Sequence, residues 1–224
     1  MPWASFPIQV SLTAVEDGEV IHLYDSYIQG AESLSPWVFK NMPISLTNLE
    51  NAPRLPEVIK TIAGLLRRTD WIVAHNCAFD LETCLARTSK RLNLYSKELH
   101  FIFGLPRFCT MDCSYMRSVC CKRGKLPALC AHFGVAFDEK AAHDATYDSL
   151  QLARCVAEAG RRGVMVDSPY TVPPDFSPQI PGPDHPDFAI YYADLVAKVL
   201  ATPLTNKSEV ETFSTTRGPP PQWE

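Results

Sequence analysis

Apolar residues recur at two different periods along this chain, and the switches between them mark out its elements. Residues 8–15, IQVSLTAV, and 20–28, VIHLYDSYI, are rich in β-branched and aromatic residues. They flank Glu16-Asp17-Gly18-Glu19, an Asp-Gly turn signal that predicts a β-hairpin. Between 31 and 53 the chain reads as loop and short helix, broken by Pro36, Pro43 and Pro53. A helix follows from about Pro56 to Arg68, where Val58, Ile62, Leu65 and Leu66 fall at helical spacing. The apolar run Trp71-Ile72-Val73-Ala74 predicts a short strand, and a helix beginning near Phe79 turns Leu81, Cys84 and Leu85 inward. Residues 107–111 read as a further strand, leading into a helix with Tyr115 and Val119. A helix from Leu126 to Phe133 is stopped by Gly134. The stretch AAHDATYDSLQLARCVAEAG, 141–160, predicts another helix with Tyr147, Leu150, Ala153, Val156 and Ala157 on its apolar face.

Beyond residue 165 the pattern changes. Seven prolines between 167 and 186 exclude a continuous helix or central strand, so 166–186 reads as an extended linker. Residues 187–202 form an amphipathic helix carrying Phe188, Tyr191, Tyr192, Leu195 and Val199, and 203–224 is a polar tail ending near Pro219-Pro220-Pro221. A length of 224 residues with 46% hydrophobic content suits one core, placed at 1–165, with the last helix as a surface for a protein partner or a second copy.

Charge narrows the function classes. A net charge of −4 argues against coating nucleic acid by bulk charge. Residues 80–130 nevertheless hold nine Lys and Arg against four Asp and Glu, which makes that stretch the one place suited to an anionic polymer. No segment reads as a signal peptide or a membrane span, so the expectation is a soluble intracellular protein, cytoplasmic or nuclear, with its eight cysteines reduced. Cys109, Cys113, Cys120, Cys121, Cys130 and His132 are crowded but lack paired C-x-x-C knuckles, which makes them a weak candidate for structural zinc.

The candidate chemistry sits in HNCAFD, 75–80. The apolar run turns into a helical pattern there, which places Asp80 in a first helical turn at the carboxyl end of a strand, where ligands of open α/β sheets gather. Together AHNCAFD at 74–80 and HDATYD at 143–148, joined by a strand beginning CTMD and by KLPALCAHFGV, resemble the 3′-to-5′ exonucleases of the DEDDh type. That family includes the proofreading subunit of bacterial DNA polymerase III, RNase T and the Trex enzymes. The resemblance spans about Ile8 to Gly160 and implies an α/β, ribonuclease-H-like fold: a mixed five-stranded sheet with helices on both sides. It also implies two magnesium or manganese ions acting on a phosphodiester at the 3′ end of single-stranded DNA or RNA. Such ions stand about 3.5–4 Å apart and take carboxylate oxygens. Residue by residue, the resemblance assigns Asp80 and Asp148 as metal ligands and His143 as general base. His75 and Asn76 fall to fixing the turn and meeting substrate. Without the resemblance, Asp80 and Asp144 read as acids favoured at helix starts, and His75 as a hydrogen-bonded core histidine.

One motif of the family does not match. Its Asp-x-Glu lies on a central first strand ahead of the hairpin, and here only Met1-Pro2-Trp3-Ala4-Ser5-Phe6-Pro7 precede Ile8. Asp17-Gly18-Glu19 spells the pattern but falls in the hairpin turn. Two of four carboxylates are therefore absent, and the sheet must close the gap, accept a substitute strand or keep an open edge. Three readings follow: an amino-terminally shortened enzyme; a degenerate exonuclease that binds nucleic acid or protein without cutting; or a strand and acids supplied by another segment.

Overall fold

The structure, a computed structural model, describes residues 6–31, 33–42, 44–113 and 124–164. The expected helix with Tyr115 and Val119, the proline-rich linker, the helix at 187–202 and the tail lie outside the described residues, as do Cys120 and Cys121.

Strands β1 (Gln9–Glu16) and β2 (Glu19–Tyr27) form the expected antiparallel hairpin, with partners running from Gln9 opposite Tyr27 to Glu16 opposite Glu19. Asp17 and Gly18 both hold positive φ, 51° and 81°, the geometry of a two-residue turn whose twist matches that of the strands. The register slips between Leu12 and Thr13, a bulge that bends the ribbon. Two short helices follow, α1 (Pro36–Asn41) and α2 (Leu46–Glu50), capped by Ser35 and Ser45. Helix α3 (Leu55–Leu66) buries Leu55, Val58, Ile59, Ile62, Ala63 and Leu66. Strand β3 (Ile72–Ala74) pairs in parallel with β4 (Arg107–Cys109). Their crossover holds a π-helix (Ala78–Ala86), α4 (Arg87–Arg91) and α5 (Lys97–Gly104). Helix α6 (Leu126–Phe133) ends on Gly134 at φ 72°, and α7 (Ala145–Arg161) closes the described chain.

Alternation along β1 gives the hairpin two covered faces. Val10 and Leu12 pack toward α3 and α5, in a core built on Ile28, Val58, Ile59, Leu99 and Ile102. Gln9, Ser11 and Thr13 face α7 instead, and the two hydroxyls lie 2.8 and 3.0 Å from Ser149 Oγ. A second core, formed by Phe108, Leu129, Cys130, Phe133, Cys155 and Ala159 with Val73 against it, joins β3 and β4 to α6 and α7. The arrangement is α/β, with helices on both sides of the strands.

Two helices differ in detail from the expectation. Phe79 does begin a helix, but the turn is π rather than α. Leu81, Glu82 and Ala86 are buried there, while Cys84 and Leu85 are only half-buried. Leu85 still packs against the core that holds Ile28 and Leu99, so the expected side faces inward and Glu82 and Ala86 are added to it. In α7 the buried residues are Gln151, Ala153, Cys155, Ala157 and Ala159, with Tyr147, Leu150 and Val156 half-buried. That helix touches the hairpin on one side and α6 with β4 on the other, so its covered strip is broader than one apolar stripe. The sheet itself is divided: β1 pairs only with β2 and β3 only with β4, and among the described residues no strand joins β1 to β3.

Candidate active site

Asp80 is placed by the turn that follows β3. Asn76 stops the strand: its carbonyl accepts the N–H groups of Phe79 and Asp80, both at 2.9 Å, and its Oδ1 accepts Phe79 N–H at 3.3 Å. His75 is turned inward. Its Nε2 donates to Gly124 O at 2.8 Å, and its Nδ1 stands 2.9 Å from Thr110 Oγ1. Burial holds its pKa below the ordinary value, so the ring is neutral and we assign Thr110 O–H as donor to Nδ1. His75 thus ties the end of β3 to the chain ahead of α6, as a hydrogen-bonded core histidine does. Its two nitrogens have no capacity left for substrate.

Asp148 comes from the opposite direction, in the first turn of α7. Asp144 is the N-cap, its Oδ1 accepting Tyr147 N–H at 2.9 Å and its Oδ2 accepting Gln9 Nε2–H at 3.0 Å. Asp144 is therefore the helix-start acid of the plainer reading. Gln9 also accepts Ala145 N–H at 3.1 Å and so anchors the helix entry to β1. No sequence signal marks this glutamine, because an isolated amide in a strand looks like any exposed polar residue.

His143 precedes the cap in a left-handed conformation, φ 72°, which a non-glycine residue adopts only when its surroundings enforce it. Its backbone N–H donates to Asp148 Oδ2 at 3.1 Å, and its ring lies 4.8 Å from the Trp37 ring, centroid to centroid, at 71°. The other Asp148 oxygen, Oδ1, is buried and has no hydrogen-bond partner among the described residues. Loss of hydration holds the Asp148 pKa above its ordinary value, opposed by the His143 contact. Asp80 is pushed up to about 6, first by loss of hydration and then by the charge of Asp148. Its side chain still reaches solvent, yet it stands in a crowded recess. Two carboxylates held together against their own repulsion, with one oxygen unpaired, form a local excess of negative charge that a cation relieves.

The whole of this geometry lies within one family pattern: the family model described as RNase T, exonuclease, matches residues 5–156. The chain belongs to this exonuclease family. Solved structures agree on the fold. The 3′-exonuclease from a structure of 3′-end-specific recognition of histone mRNA stem-loop is similar at TM-score 0.60 and 14% identity, covering 78% of this chain and 84% of that one. A full-length 3′-exonuclease gives 0.55 and 14%, covering 74% and 79%. Exonuclease X in complex with 5′ overhanging duplex DNA gives 0.52 and 18%, covering 72% and 87%. The fold is ribonuclease-H-like. No curated protein matches the chain.

Exonucleases of this family generally depend on divalent metal. Asp80 and Asp148 suit one hard cation, since both are carboxylates and one Asp148 oxygen lacks a partner. They do not make up a two-ion set by themselves. Among the described residues, no group of three or more His, Cys, Asp and Glu side chains is close enough to share an ion. Of the cysteines in the zinc reading, Cys109, Cys113 and Cys130 each have another partner, Cys109 Sγ–H lying 3.7 Å from Asp112 Oδ2. Cys113 Sγ–H donates to Thr110 O, and Cys130 lies 3.6 Å from Cys155, sulfur to sulfur.

Proposed function

We propose that this chain is a metal-dependent 3′-to-5′ exonuclease that hydrolyses the terminal phosphodiester of a single-stranded DNA or RNA 3′ end. The observation that carries this reading is the pair Asp80 and Asp148, from two separate segments of the chain, with the charge of one acting on the other and the His143 backbone N–H bonded to Asp148. In this reading Asp80 and Asp148 hold magnesium or manganese. Bound there, such an ion would polarise the phosphoryl oxygen and lower the pKa of water. His143 removes the proton from the attacking water, and its backbone bond to Asp148 keeps ring and acid in step. Asn76 has an amide nitrogen with no acceptor among the described residues, and it offers that N–H₂ group to the substrate backbone. His75 acts by holding the turn rather than by touching the strand.

The absence, among the described residues, of a strand joining β1 to β3 supports a second reading, a degenerate exonuclease that binds nucleic acid or a protein without cutting. Two carboxylates without a second pair hold ions weakly, and turnover falls by orders of magnitude when the pair acts alone. One experiment separates the readings. The full chain and Asp80→Ala are titrated with magnesium or manganese by calorimetry, beside a 5′-labelled oligonucleotide under the same ions. Ion binding that the substitution abolishes, with shortening from the 3′ end, establishes the enzyme. An oligonucleotide that is bound but stays full length establishes the binding module, and the enzyme proposal is then discarded.

A further inference from the structure

Part of the basic stretch at 80–130 is gathered on one short helix that takes no part in the acidic recess. In α4, Arg87, Lys90 and Arg91 are exposed, while Thr88 and Ser89 between them are each only 1% exposed. Burial of the two short polar residues fixes which side of the helix meets solvent, and that side carries all three cations at i, i+3 and i+4 spacing. Like charges at this spacing repel one another. Helix α4 contains no acid, and no ion pair between described residues involves Lys90 or Arg91. The negative end of the helix dipole offsets part of the repulsion for Lys90 and Arg91, in the last turn, and little of it for Arg87. On a chain of net charge −4 such a cluster is a local exception, and a polyanion relieves it. The place of α4 in the fold says which polyanion. Backbone angles stay helical through Ala86 and Arg87, so the π-helix that bears Asp80 runs into α4 without a break. Asp80 stands in the first turn of this rod and Lys90 and Arg91 in its last, a span of about 15 Å at helical rise. At about 3.4 Å per nucleotide of a stacked strand, that span matches about four nucleotides.

We infer that Arg87, Lys90 and Arg91 form a second contact surface for the substrate strand, meeting backbone phosphates about four nucleotides to the 5′ side of the bond held at Asp80 and Asp148. The inference rests on the exonuclease reading above and adds to it a surface remote from the acids and a preferred strand length. Contacts to phosphate carry no base information, so this surface sets affinity without selecting sequence.

The test uses the full chain with a thymidylate trimer and a thymidylate dodecamer, each carrying a 5′ fluorescein. Binding is followed by anisotropy in EDTA at salt concentrations from about 50 to about 200 mM, and trimming of the same strands is followed in magnesium. Lys90→Gln combined with Arg91→Gln should raise the dissociation constant and KM of the dodecamer about tenfold or more at about 50 mM salt, with kcat unchanged. The slope of log affinity against log salt should flatten by about 1.4, the loss of two single-strand phosphate contacts. The trimer ends short of α4, so its KM should stay at the wild-type value. Lys90→Arg with Arg91→Lys keeps the charge and should recover the dodecamer's affinity. Lys60→Gln with Arg68→Gln removes the same charge from exposed positions on and just beyond α3, and should leave both strands as in wild type. An unchanged dissociation constant and slope in the α4 glutamine pair would overturn the inference. So would an equal loss for the trimer, which would place the effect at the acids, or an equal loss in the Lys60 and Arg68 pair, which would reduce it to bulk charge. The exonuclease reading is judged apart from this. A wild type that binds the dodecamer through α4 without trimming it overturns the enzyme and keeps the surface, whereas one that trims but shows no preference for the dodecamer overturns the surface and keeps the enzyme.

Discussion

Asp80 carries the pH dependence of this site. Its pKa rises from an ordinary 3.8 to about 6 on folding. A carboxyl that holds its proton more tightly in the folded state adds stability below about pH 4, and this is lost as pH climbs through about 6. Asp80→Asn removes a charge that the recess resists. In metal-free buffer it should melt above wild type at pH 7.5, with the difference closing near pH 4. Equal melting temperatures at pH 7.5 would mean that the recess is fully hydrated. His143 predicts a different separation. Its φ of 72° favours glycine, so His143→Gly should leave the melting temperature unchanged or slightly raised while trimming falls by about 10²-fold or more. Loss of stability without loss of trimming would assign the histidine to folding. Asp80 and His143 were legible as chemistry because HNCAFD and HDATYD are recognisable strings. Gln9, Trp37 and Thr110 were not, because each acquires its role from a partner at least thirty-five residues away.

Among the elements, helix ends are controlled by short-range chemistry. Gly134 ends α6 at φ 72°, and a Cβ there would meet nothing nearer than 4.0 Å. Gly134→Ala should therefore cost only the left-handed backbone strain, about 1 kcal/mol, read as a shifted urea midpoint with unchanged slope. Arg162 shares this cap, donating to His132 O and Phe133 O from the far end of α7. The hairpin, α3, α6 and both short strands follow from periodicity and turn residues within a dozen positions. The π-helix does not. Its i to i+5 bonding leaves no distinct hydropathy signature, and the packing of Leu81 beside Cys77 and Cys109 decides it. The broad buried strip of α7 likewise depends on the two layers it touches, which no single helical stripe encodes.

For the molecule as a whole, two features are measurable together. Ion binding confined to the folded state stabilises it by mass action: magnesium at ten times its dissociation constant adds about 1.4 kcal/mol. Magnesium at about 10 mM, in the range where a two-carboxylate site would begin to fill, should thus raise the melting temperature of wild type and leave Asp80→Asn and Asp148→Asn unmoved. The divided sheet makes a separate prediction for hydrogen exchange. Amides of β1 turned away from β2 should exchange faster than those paired with it, since no described strand covers that edge. Equal protection of both sets would mean that a further strand occupies the gap.

Local sequence determined the hairpin turn at Asp17-Gly18, the caps at Ser35, Ser45 and Asp144, the stop at Gly134 and the strings that hold Asp80, His143 and Asp148, because each depends on neighbours within a few residues. The tertiary structure alone decided that the charge of Asp148 would act on Asp80 and raise its cost of ionisation. It alone decided that His75 would be consumed by Thr110 and Gly124, and that an exposed indole would stand against His143. Those are contacts between distant segments, and their energies depend on distance and hydration, which a linear pattern does not contain.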